Sequence, residues 1–101
     1  MKKILLLCSA GMSTSMVVKK MRASAEEKSI DVQIEAQGFE SFKDYVEEYD
    51  LFLLGPQIRF KKDELQKIAT PYGKKVDVID MVDYGMVNGE KILTSALALL
   101  A

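Results

Sequence analysis

Two short, unbroken apolar runs, Ile4-Leu5-Leu6-Leu7 and Leu51-Phe52-Leu53-Leu54, constrain this chain more than any other feature. A strand with one wetted face alternates apolar and polar residues. A run without a polar break belongs to a strand covered on both faces. The two runs therefore predict central strands over 3–8 and 51–54. A third strand reads over 32–36, where Val32, Ile34 and Ala36 alternate with Gln33 and Glu35, as fits an edge. A fourth reads over 75–79. Between the strands, apolar residues recur at helical spacing. They are Val17, Val18, Met21 and Ala25 within 13–28, and Phe42 and Val46 within 39–48. Leu65, Ile68 and Ala69 follow within 61–69, and Ile92, Leu93, Ala96, Leu97 and Leu100 within 88–100. Strand and helix alternate strictly. That order implies an α/β fold with one open, parallel four-stranded sheet, helices on both faces and right-handed crossovers. The 101 residues hold no linker or repeat, so a single domain over 1–101 is expected.

Charge and cysteine usage remove several function classes. The 14 Lys and Arg against 15 Asp and Glu give a net charge of −1, which argues against nucleic acid as a main partner. One cysteine excludes an internal disulfide. One cysteine without any histidine argues against a transition-metal site, and no cofactor is expected. Lys2 and Lys3 ahead of 4–7 resemble the start of a signal peptide, and Cys8 after leucines resembles a lipoprotein signal. The apolar stretch is far shorter than the roughly 7–15 residues of an export signal, and Leu7 is bulky where a small residue would precede a lipidated cysteine. The apolar end, 92–101, is shorter than the about 20 residues of a membrane span. A cytoplasmic protein with a reduced thiol is the expectation.

In an open parallel sheet, ligands sit outside the carboxyl ends of the strands, where the strand order reverses. The segments to search are 8–15, 37–38, 55–62 and 80–89. The first reads Cys8-Ser9-Ala10-Gly11-Met12-Ser13-Thr14-Ser15. Small residues let the backbone curl, and Gly11 permits positive φ. Successive N–H groups can then converge on an anion, assisted by the N-terminus of the following helix. Ser13, Thr14 or Ser15 would cap that helix or donate a hydroxyl to the anion. The same surroundings favour a thiolate at Cys8. A lone cysteine closing a strand is often just a small buried hydrophobe. The small-residue loop at the rim favours a phosphate-type site instead, held by neutral donors because the loop contains no Lys or Arg.

This loop resembles the active-site loop of the IIB proteins of the bacterial sugar phosphotransferase system, in the lactose/cellobiose/chitobiose branch. Leu53-Leu54-Gly55-Pro56-Gln57-Ile58 resembles the motif after that family's third strand. Val78-Ile79-Asp80, Tyr84-Gly85 and Asn88-Gly89 resemble its fourth strand and following loop. The resemblance runs in order over essentially the whole chain. It implies a phosphocysteine carrier. A IIA protein would donate a phosphoryl group from phosphohistidine, and Cys8 would hold it. A sugar presented by a membrane IIC protein would accept it. Contact with the membrane would come only through IIC, and a β-linked disaccharide such as cellobiose or chitobiose is the implied substrate. Such transfer needs in-line attack, positioning and charge stabilisation, with little acid–base help.

The same flavodoxin-like architecture resembles low-molecular-weight tyrosine phosphatases, which close their cysteine loop with an arginine six residues after the cysteine. Here Thr14 stands at that position. Without a guanidinium fork the phosphoryl oxygens lose their strongest clamp, which suits a carrier better than a hydrolase. A phosphatase or arsenate-reductase-like enzyme remains the alternative on the same cysteine. An FMN-binding module is a second alternative, for which the chain is short and lacks tryptophan. Among supporting residues, Gln57 would reach the phosphoryl group or a partner, or simply end a turn. Tyr84 would reach the site or pack against its loop. Arg59, Lys61 and Lys62 read as a solvated helix start, Asp80 and Asp83 as loop structure and helix entry. Met12 would contact a partner or fold inward. The other methionines and Phe39, Phe42, Phe52 and Phe60 read as core or boundary packing.

Overall fold

Parallel neighbours cannot be joined by tight turns, so each strand needs a crossover. The computed structural model describes residues 1–9 and 14–100. Its elements are β1 (Lys2–Cys8), α1 (Ser15–Glu27), β2 (Val32–Gly38), α2 (Phe42–Tyr45), β3 (Leu51–Leu54), α3 (Lys62–Ala69), β4 (Lys75–Val78), α4 (Met81–Gly85) and α5 (Gly89–Leu100). Tight 3-10 turns, Phe39–Ser41 and Pro56–Lys61, lead into α2 and α3, and Thr70–Tyr72 follows α3.

The strand order is β2-β1-β3-β4, all parallel. The two unbroken apolar runs occupy the two central strands, and the alternating strand lies at an edge. Because side chains alternate across a strand, each central run feeds both faces. Ile4, Leu6, Leu51 and Leu53 join Val17, Met21, Ile92, Leu93 and Ala96 under α1 and α5. Leu5, Leu7, Phe52 and Leu54 join Phe42, Val46, Ile58, Leu65 and Val76 under α2 and α3. Phe42 and Phe52 meet edge to face, centroids 4.8 Å apart.

The outer edge of β4 is covered rather than left open. The Gln66 side chain accepts from Val76 N at 2.8 Å and donates to Lys74 O at 3.0 Å, which occupies backbone groups that an edge would offer to another chain. At the amino ends of the central strands, Asp50 and Lys3 pair reciprocally: each backbone N–H donates to the other residue, to Lys3 O and to Asp50 Oδ2, both at 2.8 Å.

The structure departs from the sequence reading in four places. The helix expected over 39–48 is a 3-10 turn followed by the four-residue α2. Glu48 N and Tyr49 N both donate to Tyr45 O, which closes the helix early so that the chain can enter β3. The segment 80–89, expected as a loop, contains α4, with Asp80 as its N-cap. Phe60 is 73% exposed because the turn before α3 directs Ile58, not Phe60, into the core. Met1, Met16, Met81 and Met86 are exposed, and only Met21 of the described methionines is buried.

Candidate functional site

The strand order reverses between β1 and β3. Chain order runs from β1 outward to β2, then returns to β3 on the other side. The crevice of an open α/β sheet lies at this point. Cys8 ends β1 there, and Gly55 follows β3 beside it, its N–H donating to Leu7 O at 2.8 Å. On the other flank Cys8 pairs with Gly38. The backbone neighbour of this strand end is thus a glycine on each side.

Cys8 is buried, as is Thr14. Thr14 takes the N-cap position of α1, but its hydroxyl makes no capping bond. It donates instead to Cys8 Sγ at 3.6 Å, a usual separation for a sulfur acceptor. Thr14 O meanwhile accepts from Val18 N at 2.9 Å, so the backbone still opens the helix. The residue that stands where a phosphatase would place its arginine thus touches the sulfur directly. Ser9 and Ser15 flank this pair and are exposed. Ala10, Gly11, Met12 and Ser13, the heart of the expected anion cradle, lie outside the described residues.

Two further rim segments meet each other at the carboxyl end of the sheet. Gln57 lies in the 3-10 turn after β3 and Tyr84 on α4 after β4. Gln57 Nε2 donates to Tyr84 Oη at 3.2 Å. Sequence reasoning named both residues but had no signal that they meet, because their contact spans 27 positions. Gly55 makes their position possible. A Cβ there would stand 2.6 Å from Gln57 Oε1 and 3.7 Å from Cys8 Cβ. A side chain at position 55 would therefore displace the Gln57 carboxamide and stand against Cys8. The sequence signal for this is a glycine between an apolar strand and Pro56.

Tyr84 is fixed from below. Asp80 Oδ2 accepts from Val82 N at 3.1 Å and Asp83 N at 3.0 Å, a helix cap of the ordinary kind. Asp83 Oδ1 faces Lys91 Nζ at 3.9 Å, and the Tyr84 ring packs against the core under α1 and α5. The Asp80 carboxylate thus caps α4, and the Asp83 carboxylate faces α5. Arg59 turns back to its own turn, donating to Pro56 O at 3.2 Å. Lys61 and Lys62 pair with Glu64 and Asp77. Among the described residues, no group of three or more His, Cys, Asp or Glu side chains could hold a metal ion.

A family described as PTS system, lactose/cellobiose specific IIB subunit, matches residues 3–95. The chain belongs to this family. The IIB subunit is a phosphotransferase component in the phosphorylation of sugar by that system. The oligo-beta-mannoside-specific EIIB component of Bacillus subtilis (strain 168) is 47% identical over 100 residues, 99% of this chain and 97% of that protein. A cellobiose-specific IIB component from Borrelia burgdorferi, solved in solution, shares the IIB fold with a TM-score of 0.80 at 42% identity, covering 96% of this chain and 89% of that one. A lactose-specific EIICB component of Staphylococcus haemolyticus (strain JCSC1435) is 25% identical over 81 residues, 80% of this chain and 14% of that longer protein. IIB components work with the other components of the same system. No helix among the described residues of this IIB chain is long and apolar enough to cross a membrane.

Proposed function

We propose that this IIB chain carries the phosphoryl group on Cys8. The observation that supports this most is the placement of Cys8 at the switch point of the sheet, with the Thr14 hydroxyl on its sulfur. A IIA protein donates from a phosphohistidine: the Cys8 thiolate attacks phosphorus in line, the N–P bond breaks and an S–P bond forms. A sugar hydroxyl, presented by a membrane IIC protein, then attacks the same phosphorus. The S–P bond breaks, the thiolate leaves and the hydroxyl proton passes to solvent. Residues 9–15 cradle the phosphoryl oxygens through backbone N–H groups and hydroxyls, and Gln57 and Tyr84 support them. With neutral donors in place of a guanidinium, water gains little from the site, which preserves the group for transfer.

The chain acts as one unit in the cytoplasm and meets the membrane through IIC. The joined C and B parts of the lactose-specific relative support that association. Exposed Met16, Met81, Val82 and Met86 lie on elements at the same end of the sheet as Cys8 and offer adaptable apolar contacts to partners that come and go. The sugar is a β-linked disaccharide such as cellobiose or chitobiose, in keeping with the oligo-beta-mannoside and cellobiose named for relatives.

The test is direct. The protein is incubated with phosphoenolpyruvate, the general phosphotransferase proteins and a IIA protein of this branch, then examined by intact mass and peptide mapping. One phosphoryl adduct confined to Cys8, absent from Cys8→Ser, is the expected result. Hydrolysis of an aryl phosphate without any adduct would transfer the reading to a phosphatase.

A further inference from the structure

We infer that the outer edge of β2 is a strand-pairing surface that fits β2 of a second copy of this chain, and that Arg22 holds it shut. The inference is independent of the carrier reading above. β2 has one strand neighbour, β1, and its other side is an edge. Side chains alternate across a strand. Val32, Ile34 and Ala36 belong to the core under α1 and α5. Gln33 hydrogen-bonds Tyr49, which belongs to the core under α2 and α3, so Gln33 and Glu35 lie on the other face. Arg22 starts on α1, crosses the edge and ends beyond it. Its Nε donates to Ile34 O and its Nη2 to Glu35 Oε2, both at 2.8 Å. The guanidinium thus reaches from one face of the sheet to the other and occupies a backbone acceptor in the middle of the edge.

Backbone groups alternate within the plane of a sheet as side chains do across it. The bond from Arg22 marks the Ile34 carbonyl as one that points away from β1. By the same alternation Val32 and Ala36 also present their backbone groups outward. This row suits a second β2 running antiparallel about a two-fold axis at Ile34. Ile34 then faces Ile34 of the second copy, and Val32 faces Ala36. Glu35 falls opposite Gln33, so the seam avoids like charges in direct opposition, which would disfavour pairing. The incoming strand must displace Arg22, because the guanidinium lies where that strand would run. Charged side chains at an edge are a known guard against such pairing. On β4 the Gln66 side chain already occupies Val76 N and Lys74 O, so association through β2 stops at two copies. Gly38, at the end of β2, neighbours Cys8. A second copy would stand beside that rim, and the closed edge keeps it accessible.

Sedimentation velocity under reducing conditions tests this. It compares wild type, Arg22→Ala, Arg22→Ala/Ala36→Pro and Arg22→Ala/Gln33→Glu, with thermal melting to confirm folding. Wild type is expected to sediment as one copy. Arg22→Ala is expected to self-associate about a hundredfold more tightly, about tenfold for each of the two arginines that pairing no longer displaces, and to form pairs only. The Ala36→Pro change removes an N–H that faces away from β1, so it blocks the seam and spares the sheet. The Gln33→Glu change sets a like charge opposite Glu35 of the other copy. It acts through charge alone and keeps the test open even if the proline variant does not fold. Each added change is expected to return Arg22→Ala to one copy. The inference is overturned by an Arg22→Ala protein that stays single, by a wild type that pairs as tightly as Arg22→Ala, or by a pair that survives Gln33→Glu. The carrier reading stands in every case, since phosphoryl uptake at Cys8 is read separately.

Discussion

The α1–α5 layer and the rim built by the segments after β3 and β4 treat a missing side chain in opposite ways. Each region depends on one glycine. At Gly89, the start of α5, an added Cβ would run into the backbone carbonyl carbon of Lys20, and would stand 2.5 Å from Lys20 Cβ and 2.6 Å from Met21 N. At Gly55 the nearest atom is the far end of the Gln57 side chain. The first obstacle is helix backbone and cannot yield without moving α1. The second is a flexible, exposed amide. One glycine sets how closely two helices approach; the other admits the Gln57 carboxamide at the rim next to Cys8. Rigidity thus belongs to the layer under α1 and α5, and adjustability to the rim beside Cys8.

Gly89→Ala tests the rigid side and carries the largest effect expected for a single methyl group in this chain. Overpacking of this kind costs about 2–3 kcal/mol, or roughly 10–20 °C in Tm for a domain of this size. Differential scanning calorimetry reads it directly. A variant that melts with wild type would show that α5 slides freely on α1, and the contrast between the two regions would vanish.

Gly55→Ala tests the adjustable side. The backbone there (φ −61°, ψ 147°) is open to any residue, so no conformational strain accompanies the change. Stability is expected to hold within about 1 kcal/mol. Phosphoryl uptake at Cys8 is expected to fall several-fold, about the loss of one hydrogen bond to a charged group, because the methyl group displaces the Gln57 carboxamide. Urea melts and uptake rates on the same samples separate the two readouts. Loss of stability with intact uptake would reverse the assignment of roles.

How much of this could be read from the chain follows the range of the forces involved. The apolar runs 4–7 and 51–54 specified the central strands, because burial on both faces is written locally into each segment. The rim of strand ends, Cys8 and the residues after Leu54 among them, followed from the alternation of elements, but the reversal between β1 and β3 is set by long-range pairing. The pairing of Gln57 with Tyr84 had no local signature: it exists because β3 and β4 are neighbours and Gly55 yields space. The short helix α4 escaped notice for a related reason. Five residues carry too little periodicity to register, although Asp80, three positions before Asp83, is a capping pattern. Of the three hydroxyl residues 13–15 that could open α1, the sequence does not single out Thr14, which takes the N-cap position while its hydroxyl serves the sulfur at the end of β1.

The rigid layer also contains a small imperfection that sharpens the contrast. Among the described residues, Ser24 Oγ is a buried side-chain oxygen with no hydrogen-bond partner. It sits on the buried face of α1 beside Met21 and Ala25, where an unmet hydroxyl costs about 1 kcal/mol and serine is a poorer helix former than alanine. Ser24→Ala removes the oxygen without leaving a large cavity. It is expected to raise stability by about 1 kcal/mol, seen as a higher urea midpoint with an unchanged slope. Uptake at Cys8 should not change, since the layer behind the site is already rigid and further stiffening reaches neither Thr14 nor Gln57. A variant that gained stability and lost transfer would show instead that α1 must flex for the phosphoryl group to move.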